Sequence, residues 1–213
     1  MNLVESGFRG SGYPHKERIL ECAKKCTTIL ECGCGSMSAT WALVLGMMMT
    51  STTSVGTSNN FRYYGIDLTP NIHVGEQIQK LCSEEGISFE IFQSNNLYFD
   101  QAQFLSSDID LLFIDTSHIY GQLIRELSQY QSRIRKYILI PNSQVDKWYG
   151  ENLREGGRHP NSNSNSNSNW SRWESQLGMF PAIVEFCETH PQWQVQEHIP
   201  QQYGLTILQR IMT

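Results

Sequence analysis

The sequence predicts an α/β protein: a doubly wound, mostly parallel sheet closed by a C-terminal antiparallel hairpin. Three observations predict it. Ile29-Leu30-Glu31-Cys32-Gly33-Cys34-Gly35-Ser36 is an apolar run ending in an acid and two glycines, and a helix-like segment follows. Glycine permits a sharp turn and close approach of a ligand. A strand that passes through such a turn into a helix is the nucleotide-cradling element of a Rossmann-like sheet. Second, Tyr63-Tyr64-Gly65-Ile66-Asp67 ends another strand in an acid about one βα unit further on. A carboxylate there can accept hydrogen bonds from a ribose. Third, strand-like and helix-like periods alternate along the chain, as parallel strands joined by covering helices require.

Each element follows from its residues. Positions 1–16 are Gly-rich with Tyr13, Pro14 and His15, and form an ordered arm or lid. Glu17–Lys25 is a helix with Ile19, Leu20 and Ala23 on one face. Thr28–Glu31 is the first strand. Met37–Met48 is helical, with small residues, Gly46 among them, for close packing on a sheet. Thr50–Asn60 is small and polar, hence a loop. Arg62–Asp67 is the second strand, His73–Glu85 an amphipathic helix, and Ile87–Gln93 the third strand. Ile109–Asp115 is nearly all apolar, the pattern of a strand buried on both faces. Ile119–Ile134 is a helix with Leu123, Leu127, Tyr130 and Ile134 facing inward. Lys136–Ile140 is the fifth strand, stopped by Pro141. Residues 143–170 form a polar insertion with Asn-Ser repeats, a composition that buries no core, so it reads as a mobile loop. Phe180–Thr189 is a helix. Trp193–Ile199 and Leu205–Arg210 are paired strands around a loop at Gln201–Gly204.

Composition sets the bounds. A chain of 213 residues buries a good core as one domain over 1–213. Hydrophobic content of 39% and charged content of 17% fit a globular protein. A net charge of −5 without a dense basic stripe argues against nucleic acid as partner. The six cysteines are scattered, and Cys32-Gly33-Cys34 lacks the spacing of a zinc knuckle or redox pair. They read as reduced thiols of a cytoplasmic protein, and the polar N-terminus is no signal peptide. The longest apolar stretch, Trp41–Met49, is too short to span a bilayer.

Ligands of such a sheet sit beyond the carboxyl ends of its strands. Glu31, Asp67, Asn95 and Asp115 fall at four such ends and are expected to converge on one crevice. Here the sequence resembles the class I S-adenosylmethionine-dependent methyltransferases. Glu31-Cys-Gly33-Cys-Gly35 looks like their first motif, Gly65-Ile66-Asp67 like their second, and the closing strands like their terminal hairpin. The resemblance covers about residues 17–213. It is sharper to the enzymes that methylate sugar hydroxyls, the macrolide-sugar O-methyltransferases and cephalosporin-hydroxylase-like proteins. Trp41-Ala42-Leu43, Phe113-Ile114-Asp115-Thr116-Ser117-His118-Ile119-Tyr120 and Phe180-Pro181-Ala182-Ile183 carry that part.

The resemblance implies that Glu31, Gly33 and Gly35 shape the loop under the methionine part of S-adenosylmethionine. It implies that Asp67 holds the ribose hydroxyls, Leu68 lies beside the adenine, and Ser94 and Asn95 lie near its amino group. In the resembling sugar enzymes the residue at Asp115 is a metal ligand and that at His118 the base. Chemistry supports such a pair, because a hydroxyl is a poor nucleophile until its proton is removed. A histidine near neutral pKa can remove it, and a carboxylate can orient the imidazole or hold a metal. One departure matters: the metal-dependent relatives carry an acidic pair or His-Asp-Thr after the fifth strand, and this chain has Pro141-Asn142-Ser143. A magnesium or manganese site of Asp115, Asn142 and water is a poor one. The expectation is therefore a base mechanism in which metal is optional and Asn142 can bond the sugar instead. Tyr13, His15 and Trp148 are candidate acceptor contacts, the insertion a lid, and His159 inert. The acceptor is a sugar or glycan, and the abrupt start fits a domain of a longer glycan-building enzyme.

Two rivals stand beside this reading. A nicotinamide oxidoreductase would want G-x-G-x-x-G, but the third glycine is missing: Met37-Ser38-Ala39 follows the loop. A non-catalytic glycan- or protein-binding domain on the same fold would explain the missing acidic pair.

Overall fold

A computed structural model describes residues 3–10, 12–51, 60–104, 108–154 and 170–211. Its elements run α1 (Leu3–Gly10), α2 (Lys16–Ala23), β1 (Thr28–Cys32), α3 (Thr40–Ser51), β2 (Arg62–Asp67), α4 (Ile72–Glu84) and β3 (Ser88–Gln93). Then follow α5 (Gln101–Phe104), β4 (Ile109–Ile114), α6 (Tyr120–Tyr130), β5 (Ile134–Pro141), α7 (Glu151–Arg154), α8 (Arg172–Gln176), α9 (Met179–Thr189), β6 (Trp193–Ile199) and β7 (Leu205–Arg210). The strands form a seven-stranded sheet in the order β3-β2-β1-β4-β5-β7-β6. It is mostly parallel, with β6 and β7 as an antiparallel pair. The predicted doubly wound architecture is the observed one.

The chain divides into two compact units, Met1–Ile114 with Arg133–Leu139, and Asp115–Ser132 with Ile140–Thr213. In the first, β1 and β4 are buried along their whole length, which explains their unbroken apolar runs. Each fully buried aliphatic side chain contributes roughly 1.5–3 kcal/mol. Asp110 is the acid within β4's run. It is 1% exposed and accepts hydrogen bonds from the Thr27 amide (2.7 Å) and hydroxyl (3.0 Å). Arg135 (3.1 Å) and Lys136 (3.4 Å) pair with it, so its burial is compensated at the end of β4 away from Asp115. α3 is apolar on all sides because from Ala42 to Met48 it is buried on all sides. Its Gly46 serves α2 rather than the sheet: a Cβ there would lie 2.5 Å from the Ala23 Cβ. The N-terminal arm contains α1, an amphipathic helix that forms despite Gly7.

In the second unit α6 lays Leu123, Leu127 and Tyr130 into a core shared with Ala182, Ile183 and Phe186 of α9. The helix predicted over Ile119–Ile134 stops at Tyr130. A 3₁₀ turn, Gln131–Arg133, follows, and Ile134 opens β5 opposite Ile109. Pro141 closes β5, and Pro181 sits in the first turn of α9, where no amide donor is needed. The start of the predicted insertion is well packed, with Ser143 and Asp146 fully buried. Trp170 lies 4.4 Å from the Arg125 guanidinium and Trp173 packs on Tyr120 at 5.2 Å, fastening α8 to α6. Ser171 and Glu174 form the capping box of α8. The Asn-Ser tract, His159 and most of the Thr50–Asn60 loop lie outside the described residues. No helix among the described residues is long and apolar enough to cross a membrane.

Candidate active site

In the first unit the tips of β1, β2 and β3 carry the predicted cofactor residues. Gly33 (φ 87°) and Gly35 (φ 44°) both take the left-handed conformation that side chains resist. The Gly33 amide donates to the Ile66 carbonyl at 2.8 Å. The Gly35 amide donates to Asp67 Oδ2 at 2.8 Å, and Thr69 N donates to Asp67 Oδ1 at 2.7 Å. Asp67 thus ties the glycine turn to its own strand end, and a carboxylate has further lone pairs to offer. Its carbonyl accepts from Ser94 N at 2.9 Å, which brings the β3 tip alongside. Asn95 closes an Asx turn onto Leu97 N at 3.0 Å. Leu68, next in the chain to Asp67, has 62% of its surface exposed.

Glu31 is placed differently from its neighbours. It is 1% exposed, and its carboxylate accepts hydrogen bonds from Thr40 Oγ1 (2.8 Å) and the Tyr63 hydroxyl. Burial first, and the Glu31 charge second, push the Tyr63 phenol well above its usual range, so it remains a donor. Glu31 therefore holds Thr40, the first residue of α3. Tyr13 leans on Phe113 (ring centres 6.2 Å apart), and His15 sits in the left-handed region (φ 58°) at the start of α2.

In the second unit the stretch after β4 and a strap from Asn142 to Glu151 meet at His118. Its Nε2 is 3.2 Å from Asp115 Oδ1 and 3.2 Å from the Asn142 amide nitrogen, which also donates to Asp115 at 3.2 Å. Asn142 reaches there from a left-handed backbone (φ 57°) just past β5, a conformation asparagine tolerates. On the other side of the ring, Nδ1 lies 3.0 Å from Asp146 Oδ2 and 3.4 Å from Glu151 Oε2. The Asp146 contact has ion-pair distance but is not aligned along the ring N–H. Burial alone would lower the imidazole pKa. The hydrogen bond to Asp115, the contact with Asp146 and the charges of Asp115 and Glu151 outweigh it and raise it to about 10. His118 is thus an imidazolium at neutral pH. This differs from the near-neutral histidine expected from its residue type.

Trp148 stands between Asp146 and Glu151 on the same strap. It is 55% exposed and packs edge-on to Phe180 at 5.2 Å, with the Lys147 ammonium over both rings. Asp146 and Glu151 were not singled out by sequence. Both lie in polar stretches, and only the fold turns them toward His118. Among the described residues no group of three or more His, Cys, Asp or Glu side chains is arranged to hold a metal. Asn142 turns its amide nitrogen, a donor, to Asp115. The donor set does not fit a magnesium or manganese ion.

No protein-family model and no curated protein matches the chain. Solved structures do, and what they share with it is the fold: it is the fold of S-adenosylmethionine-dependent O-methyltransferases. The SAH-bound methyltransferase PaMTH1 of Podospora anserina aligns with a TM-score of 0.61 at 14% identity, covering 100% of this chain and 89% of that one. An O-methyltransferase from Bacillus cereus in complex with SAH gives 0.59 at 12% identity over 98% and 90%. TomG of Streptomyces achromogenes, an O-methyltransferase of tomaymycin synthesis in complex with SAM, gives 0.54 at 12% over 93% and 80%. At these identities the likeness is one of fold.

Proposed function

We propose that the chain is an S-adenosylmethionine-dependent O-methyltransferase whose acceptor is a sugar hydroxyl. The observation that carries this reading is the Asp115–His118 hydrogen bond at the end of β4, on this fold. On the donor side, Gly33 and Gly35 cradle the methionine part. Asp67 spends its remaining lone pairs on the ribose hydroxyls, Leu68 covers the adenine, and Ser94 and Asn95 flank its amino group. The acceptor oxygen attacks the sulfonium methyl: a C–O bond forms, the S–C bond breaks, and the hydroxyl proton leaves to the Asp115–His118 pair. Because that pair already holds a proton, it accepts another only after losing its own. The transfer rate is expected to rise with pH toward about 10. Asn142 bonds the sugar and exposed Trp148 stacks on its apolar face. No step runs through a metal, and the six cysteines, none of them in a disulfide, suit a reducing, cytoplasmic setting.

A second reading, a glycan-binding domain without turnover, is favoured by the proton already on His118. Calorimetric titration with S-adenosylmethionine against NAD, then mass spectrometry of deoxyhexose glycosides incubated with S-adenosylmethionine, separates the readings. A mass gain of one methyl group on a glycoside supports transfer. Donor binding without any methylated glycoside supports the binding domain, and preference for NAD ends both.

A further inference from the structure

We propose that Asp146, backed by Glu151, is the positioning residue that sets which way the His118 ring faces. Its bearing on catalysis rests on the O-methyl transfer proposed above; its structural content does not. The ring can sit in its pocket two ways, related by a half-turn that exchanges nitrogens for carbons. In the observed orientation Nε2 meets Asp115 and Nδ1 meets Asp146 and Glu151.

The two sides of the ring are not equivalent. The Asp115 side chain is 21% exposed and the Glu151 side chain 24%, so water can solvate either carboxylate if the ring turns away. The Asp146 side chain is 0% exposed. Turning a ring carbon toward it would take the ring nitrogen away from a carboxyl group that water cannot reach, the costliest of the three losses. Asp146 therefore selects the orientation, and Asp115 receives Nε2 as a result.

The backbone around Asp146 is built to keep it there. Asp146 N donates to the Asn142 carbonyl (3.2 Å), and its own carbonyl accepts from Met179 N (2.8 Å). Gln144 N and Val145 N both donate to the Tyr203 carbonyl in the β6–β7 turn, each at 2.9 Å. Gly204 leaves the room for that contact, since a Cβ on it would lie 2.4 Å from Gln144 N. At the strap's far end Glu151 N donates to the His118 carbonyl at 3.2 Å. The strap that carries Asp146 is thus clamped to α9, to the hairpin turn and to His118 itself.

The test follows the ring N–H protons of His118 by NMR in the isotope-labelled full chain near neutral pH, assigned by their loss in His118→Gln. In Asp146→Asn the Nδ1 proton should exchange with water at least about tenfold faster than in the wild type. In Glu151→Gln the acceleration should be smaller, about twofold to fivefold. Asp146→Asn that folds and leaves Nδ1–H exchange unchanged overturns the proposal. Should that variant fail to fold, Glu151→Gln decides: faster Nδ1–H exchange supports the proposal and no change overturns it. With deoxyhexose glycosides as acceptors, Asp146→Asn should lower kcat while leaving KM and donor affinity within about twofold. Wild-type protein giving no heat with S-adenosylmethionine would sink the methyltransferase reading alone, and the exchange measurement would still judge the positioning role.

Discussion

The glycine turn of the first unit and the imidazole cluster of the second are made of different materials. The first is a backbone device, with two left-handed glycines, three strand tips and one carboxylate that accepts two amide protons. The second is a side-chain device. One ring is gripped by three carboxylates from two segments, and the backbone serves only to hold those segments in place. Backbone devices depend on conformational preferences that act within a few residues. Side-chain devices depend on which distant charges the fold brings together, and their energies are set by burial.

If the two devices do separate work, damage to one should spare the other. The largest effect is expected from His118→Ala, which should cut methyl transfer about 100- to 10,000-fold while S-adenosylmethionine affinity by calorimetry stays put. A parallel fall in affinity would break the division. Next is pH. The folded-state pKa of His118, about 10, lies above the ordinary 6.5. Its stabilising contribution is therefore complete below about 6.5 and is lost as pH rises through about 10. Denaturation of wild type and His118→Gln across that window should give a stability difference that shrinks toward alkaline pH. A difference constant with pH would refute the ion cluster.

Glu31→Ala should destabilise the protein by about 2–4 kcal/mol in chemical denaturation, because Thr40 and Tyr63 lose a buried acceptor. Asp67→Ala should weaken donor binding by about 1–3 kcal/mol, since both the turn and the ribose lose a partner. An unchanged affinity would move the ribose elsewhere. The smallest effect is that of Leu68→Ala. Stability should move by less than about 0.5 kcal/mol because the side chain is exposed, whereas donor affinity should fall about fivefold. A large loss of stability would show Leu68 to be a packing residue.

The same contrast explains what was legible in the sequence. The strands of the first unit were readable because glycine, acid and apolar run sit side by side in the chain, and β6 and β7 have the bounds expected for paired strands around the Gln201–Gly204 loop. Asp115 and His118 were readable because three residues separate them. Their hydrogen bond is observed, but the protonation of the ring was not legible, because it comes from Asp146 and Glu151, some thirty residues on. Glu31 reads in sequence like a group facing the ligand. Its inward turn depends on Tyr63 and Thr40, whose hydroxyls had no marked role in the chain. Ile134 reads as helix by spacing and becomes strand because it pairs with Ile109. The polar run from Ser143 reads as loose, yet the strap is buried, because hydrogen bonds to the hairpin turn replace the apolar contacts it lacks.

One consequence concerns turnover. The Gly35–Asp67 tie, with Asn71 N donating to the Gly35 carbonyl at 3.1 Å, sets the turn before any nucleoside arrives. A receptor already in shape loses little entropy on association and grips what donor and demethylated product have in common equally well. Under the proposed reaction only the sulfonium methyl and its charge distinguish the two, so the spent nucleoside should be a strong competitive inhibitor, and its departure should limit the cycle.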